Sequence, residues 1–156
     1  MIPETIDRYL KDHALPYEHL PHRRAVGAQR LAASEHVSGR RIAKPVVVRL
    51  DDVLALAVVN AAERVDLERL ADAAGAARAE LAPEDAFAER FVPCEAGAEP
   101  ALSMFGVLIY VDAELALEPW VVMRGGTHED AIRIDTQSWL ESEDVRIVDG
   151  LGRLMR

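Results

Sequence analysis

Apolar positions recur at helical spacing at the start of the chain. Ile6, Tyr9 and Leu10 share one face of a segment running from Pro3 to Asp12, with Pro3 near its first turn. Tyr17 to Leu20 alternates between two prolines and reads as a short strand. Ala28 to His36 returns to helical spacing and is expected to end at Ser38-Gly39. Two apolar runs follow, Ile42 to Leu50 and Val53 to Asn60, separated only by Asp51-Asp52. That arrangement predicts a hairpin, although Asp-Asp is a weaker two-residue turn than Asn-Gly.

Further on, Asp66 is positioned to cap a helix carrying Leu67, Leu70 and Ala71, which Gly75 stops. Pro83 opens another, with Glu84 and Asp85 in its first turn and Phe87 and Phe91 one turn apart. Residues 92 to 103 read as a Pro/Gly loop. Val107 to Val111, Trp120 to Arg124 and Ala131 to Asp135 predict strands. Thr136 is the expected cap of a short helix with Trp139 and Leu140 inward, and Val145 to Val148 a last strand. Strands joined by hairpins and short helices imply an α+β fold, a mixed and mostly antiparallel, curled sheet with helices packed around it. The pattern fits one domain over residues 1–156. It lacks the βαβ alternation of a dinucleotide-binding fold, and no Gly-x-Gly-x-x-Gly occurs.

Composition narrows the function classes. No uninterrupted apolar run reaches the length of a membrane span, and no leader pattern is visible. The single Cys94 rules out an internal disulfide framework and points to a cytoplasmic setting. The five histidines are scattered, without the spacing of metal-ligand motifs, so no metal site is expected. A net charge of −9 argues against a nucleic-acid binder of the usual strongly basic kind. The charge is uneven, however: Arg23, Arg24, Arg30, Arg40, Arg41, Lys44 and Arg49 oppose only Glu35 between residues 22 and 50. One local basic patch on an acidic body could hold a few phosphates, or be a solvated face.

Of the 18 basic residues, only Lys11 and Lys44 are lysines. Lys11 falls on a polar helix. Lys44 opens the apolar run Pro45-Val46-Val47-Val48, where an amine whose pKa moves on burial could do chemistry that a guanidinium cannot. It could equally flank a strand and snorkel to water. Two further segments are candidates: the loop Cys94 to Ala101, where Gly97 frees backbone amides, and the bend Gly125-Gly126-Thr127-His128 after a predicted strand. Each could also be an ordinary turn.

Three segments in order, Ala28-Gln29 through His36-Val37-Ser38-Gly39-Arg40-Arg41-Ile42-Ala43-Lys44, then Phe91 to Ala98, then Gly126-Thr127-His128-Glu129-Asp130-Ala131-Ile132, resemble the YbaK/EbsC-type aminoacyl-tRNA deacylases. These are related to the editing domain of bacterial prolyl-tRNA synthetase. The resemblance covers roughly residues 15 to 140. It implies a barrel-like sheet ringed by helices and hydrolysis of mischarged tRNA without metal or organic cofactor. It also implies Lys44 as the residue tied to activity, and a substrate site around Gly97, Ala98, Pro100, Ala101, Gly126, Thr127 and His128. Arg23, Arg24, Arg40 and Arg41 are the expected tRNA contacts, with a synthetase or elongation factor as an expected partner and no membrane or DNA partner. The chain departs from the family pattern at Pro45, at Ala101 in a proline place, and at Ser103 where a glycine usually closes the loop. A binder without turnover is the expected alternative, and a Schiff-base enzyme built on Lys44 a more distant one.

Overall fold

The computed structural model describes residues 1–155. Helix α1 (Glu4–Asp12) turns Ile6 and Leu10 fully inward, as the spacing predicts. Strand β1 (Tyr17–Pro21) follows, then α2 (Ala28–Glu35), which ends one turn earlier than Ser38-Gly39. His36 takes the left-handed conformation that closes it, and Ser38 instead starts a single 3-10 turn by accepting the Arg40 amide.

The hairpin is β2 (Lys44–Leu50) and β3 (Val53–Val59). Its Asp-Asp turn works because Asp51 adopts φ 54° and its carboxylate accepts the amides of Ala77 and Arg78. Strand β2 begins at Lys44, not at Ile42. Ile42 bridges to Val122 and the Ala43 amide donates to the Val122 carbonyl at 2.8 Å, tying two sheets together.

Next come β4 (Glu63–Val65), α3 (Leu67–Ala74) and β5 (Ala79–Leu81). Asp66 caps α3 through the Arg69 amide and Gly75 closes it at φ 67°, both as expected. The segment after Pro83 is only one helical turn, α4 (Glu84–Phe87), continued as a 3-10 turn to Phe91. Pro83 stands outside it as the cap. The remaining elements are β6 (Leu108–Asp112), β7 (Trp120–Arg124), β8 (Asp130–Asp135), α5 (Thr136–Ser142), β9 (Arg146–Val148) and β10 (Gly152–Leu154). The cap of α5 is Asp135, whose carboxylate takes the Ser138 amide at 2.9 Å, so Thr136 lies within the helix.

Five strands form the sheet β5-β2-β3-β6-β9, parallel at β3-β6 and β6-β9 and otherwise antiparallel. Three more form β1-β8-β7, and β10 pairs with β4. The sheets curl around the core without closing into a barrel. Alternation along the hairpin gives its two faces different partners. Ala43, Val47, Leu56 and Val58 join Ile6, Leu10, Ala101, Leu102, Met123 and Trp139 in the main core. Val48, Leu50, Ala55, Ala57 and Val59 pack with Leu70 of α3 in a second core. Lys44 pairs with Val59, so it shares the second face. No described helix is long and apolar enough to cross a membrane.

Candidate functional site

The residues singled out in the sequence separate into two places. On the second face of the hairpin, Lys44 opens onto a cavity of about 600 Å³ whose walls include Val46, Val65, Leu67, Leu81, Arg64 and Arg153. Its ammonium, half-buried, donates to the Glu63 carbonyl. An ammonium has three N–H donors, so this bond leaves two unspent. Burial draws the Lys44 pKa below the ordinary lysine value, against an upward pull from the Glu63 carboxylate. Asp66, on the same wall, is engaged twice, capping α3 and accepting Arg153 Nε at 2.6 Å.

The second place joins the loop around Gly97 to the bend after β7. The Glu95 amide donates to the Gly126 carbonyl at 2.8 Å, and the Gly126 amide to the Ala98 carbonyl at 2.9 Å. His128 is 5 % exposed rather than solvent-facing; its Nε2 lies 2.9 Å from the Ala96 carbonyl, and its amide donates to Glu95. Thr127 Oγ1 donates to Asp130 Oδ2 at 2.6 Å and accepts the Glu129 amide. Gly126, at φ 102°, lies so close to α1 that a Cβ there would come within 2.8 Å of Pro3 and Ile6. Only glycine fits.

The polar groups of this second place are largely spent on one another. The Gly97 amide donates to Glu99 Oε2 at 3.1 Å and the Ala98 amide to the Glu95 carbonyl at 2.9 Å. Burial pushes the pKa of Glu99 up although the loop amides draw it down. Ala98, Pro100 and Ala101 are buried, with Ala101 in the main core, and Trp139 Nε1 donates to the Ala101 carbonyl at 2.8 Å. None of residues 97–101 or 126–128 lines the Lys44 cavity. The fold therefore brings Gly97, Ala98, Gly126, Thr127 and His128 together and leaves Lys44 at a separate cavity.

Asp130 anchors the bend. Burial alone would raise its pKa, but bonds from the Met1 ammonium (2.7 Å), Thr127 and His19 (2.6 Å) hold it down at about 2. The expected tRNA contacts also divide. Arg24 pairs with Glu95 at 2.9 Å and approaches Glu129 at 3.6 Å, beside the bend, while Arg23 is exposed. Arg41 lies 4.4 Å from the Trp120 ring centroid, and Arg133 lies 3.8 Å from it. Arg40 is exposed and borders a different cavity. Sequence reading missed Arg133, Trp120 and Glu63. Arg133 is an exposed position of β8, and nothing in the sequence says which ring it meets.

The chain belongs to the aminoacyl-tRNA editing domain family, which matches residues 22–141. No curated protein matches it. Among solved structures it is similar to the hypothetical protein APE2540, at 18% identity and TM-score 0.86, covering 96% of this chain and 100% of that one. A proposed trans-editing enzyme for prolyl tRNA synthetase aligns at 20% identity and TM-score 0.79, over 96% of this chain and 98% of that one. A proposed signal transduction protein from Marinobacter aquaeolei VT8 aligns at 16% identity and TM-score 0.73, over 97% of this chain but 31% of that one. At these identities the likenesses establish the α+β fold.

Proposed function

We propose that this protein hydrolyses the ester of mischarged aminoacyl-tRNA carrying a small amino acid, with alanine on tRNA(Pro) as the leading substrate. Beside family membership, one observation carries the reading: a half-buried ammonium with unspent donors faces a cavity walled by apolar side chains, Arg64, Arg153, Asp66 and Glu68. The ester is already activated, so no protein nucleophile is required. Water attacks, or the substrate's own ribose hydroxyl helps it. Lys44 stabilises the oxyanion that develops on the carbonyl, a role whose loss typically costs about a hundredfold or more in rate. The loop amides of Gly97 and Ala98 already have acceptors, so this reading gives the oxyanion to Lys44 and not to them.

Val46, Val65, Leu67 and Leu81 would select by size, and one methylene is worth only about 1–3 kcal/mol. The exposed Arg23 and Arg40, with Arg41 on Trp120, would take backbone phosphates, giving binding that weakens as salt rises. A second reading, binding without turnover, draws support from the closed state of the Gly97 loop. Incubation with a panel of mischarged tRNAs separates the two. Ester loss from one or more members supports hydrolysis; retention on the protein with every ester intact supports the binder.

A further inference from the structure

The residue whose carbonyl holds Lys44 contributes its side chain to a different concavity. Glu63 borders a cavity of about 530 Å³ together with Arg40, Asn60, Glu114, Glu118 and Gly152. Strand β4, the end of β6 and the turn after it bring Glu63, Asp112 and Glu114 together. One carboxylate oxygen from each lies within 4.8 Å of the other two. Glu63 is 7 % exposed and Asp112 3 %.

Glu63 Oε1 is buried and has no hydrogen-bond partner. The chain closes on this carboxylate all the same: a Cβ at Gly152 would stand 2.5 Å from Oε1, so a larger residue there would displace the Glu63 carboxylate. Asp112 is partly engaged, with Oδ1 accepting the Gly152 amide and Oδ2 the Glu114 amide, both at 3.2 Å. Each of its oxygens keeps a lone pair. Among the described residues no cationic side chain forms an ion pair with Glu63, Asp112 or Glu114. Lys44 reaches only the Glu63 backbone, and Arg40 pairs with none of the three. Two buried carboxylates and a third beside them repel, and an unpartnered buried charge is costly. Apart from the Lys44 ammonium, whose charge is felt at Glu63 although it bonds only the carbonyl there, the arrangement lacks a positive charge.

We propose that Glu63, Asp112 and Glu114 bind a hard divalent cation of calcium size, with water completing its shell. Oxygen-only donors select calcium and magnesium over softer metals. The three oxygens lie within 4.8 Å of one another, close enough for one ion with metal–oxygen distances of about 2.3–2.6 Å to reach all three. Magnesium demands a near-ideal octahedron at shorter distances, whereas calcium accepts an irregular oxygen shell such as Glu63 with the Asp112–Glu114 turn can offer. The site is independent of the editing reading, although a cation there would also fix Glu63 and so the carbonyl that holds Lys44.

The test is calorimetric titration of chelator-stripped full chain with calcium chloride and magnesium chloride, with melting curves at matched ionic strength. One calcium per chain with a raised melting temperature is expected, and weaker magnesium binding. Glu63→Gln and the exposed Glu114→Gln each remove one repelling charge. Without cation both variants are expected to melt no lower than wild type, and to bind calcium about tenfold or more weaker. Absence of both heat and thermal shift at millimolar calcium would overturn the site. So would an unchanged calcium response in both variants. Tighter magnesium than calcium binding would overturn the size assignment.

Discussion

The Lys44 cavity and the Gly97–His128 cluster share no lining residue, and they differ in how their polar groups are used. In the cluster, Glu95, Gly97, Ala98, Gly126, Thr127 and the His128 amide all have partners within the cluster. At Lys44, one donor is spent on Glu63 and two are left, beside open volume. A polar group already satisfied inside the protein has little to offer a substrate, whereas a desolvated donor with free capacity gains much from one. The cluster therefore mostly shapes and braces, with His128 Nδ1 and Arg124 Nη1 its buried unpartnered atoms, and the proposed function gives the ligand to the lysine face.

Substitutions in the two places sharpen that contrast. The largest effect is expected from Lys44→Ala: ester hydrolysis on the cognate mischarged tRNA falls by about a hundredfold or more, with the far-ultraviolet dichroism spectrum unchanged. Near-full turnover would place the chemistry elsewhere. Gly126→Ala is expected to cost roughly 2–4 kcal/mol in denaturant unfolding, because its Cβ would meet Pro3 and Ile6 at 2.8 Å on a positive-φ backbone. Wild-type stability there would show that α1 does not pack on the bend.

Asp130→Asn probes the same brace through pH. The folded pKa of about 2 lies below the ordinary 3.8, so the stabilisation from this carboxylate is complete above about pH 4. It is lost as the pH falls from there through about 2. The variant is expected to lose about 2 kcal/mol near neutral pH, and the difference from wild type should vanish in acid. A gap that persists at pH 2 would assign the effect to packing instead. Arg24→Ala is the smallest perturbation. Its pair with Glu95 is exposed, so the melting temperature should stay within about 2 °C of wild type, while the salt dependence of tRNA retention becomes slightly shallower.

Much of the fold was legible because it rests on local rules. The α1 stripe, the Asp66 cap, the Gly75 stop and the β2-β3 hairpin follow from spacing and from residues with one favoured role. Strands β4, β5 and β10 are three residues long, too short for alternation to register. Asp135 and Thr136 are both good caps, and only the course of β8 decides between them. At the site, the exceptional status of Lys44 was visible as a lone amine opening an apolar run. Its face followed from the register with Val59, which the two-residue turn at Asp51-Asp52 sets, but the helix that covers that face is a tertiary partner. The burial of His128 depends on the Ala96 carbonyl, and the meeting of Glu63 with Asp112 depends on tertiary pairing across the chain. Long-range partners are what the linear pattern leaves out.

The role of Lys44 is tested most directly by separating chemistry from binding. Single-turnover hydrolysis of alanyl-tRNA(Pro) would be measured for wild type, Lys44→Arg and Lys44→Ala, alongside the dissociation constant of each for the same tRNA. Both substitutions are expected to slow ester cleavage steeply while affinity stays within about threefold of wild type, since a compact ammonium is lost but the arginine contacts remain. Cleavage at the wild-type rate by Lys44→Ala, or a loss accounted for wholly by weaker binding, would contradict a catalytic ammonium at this position.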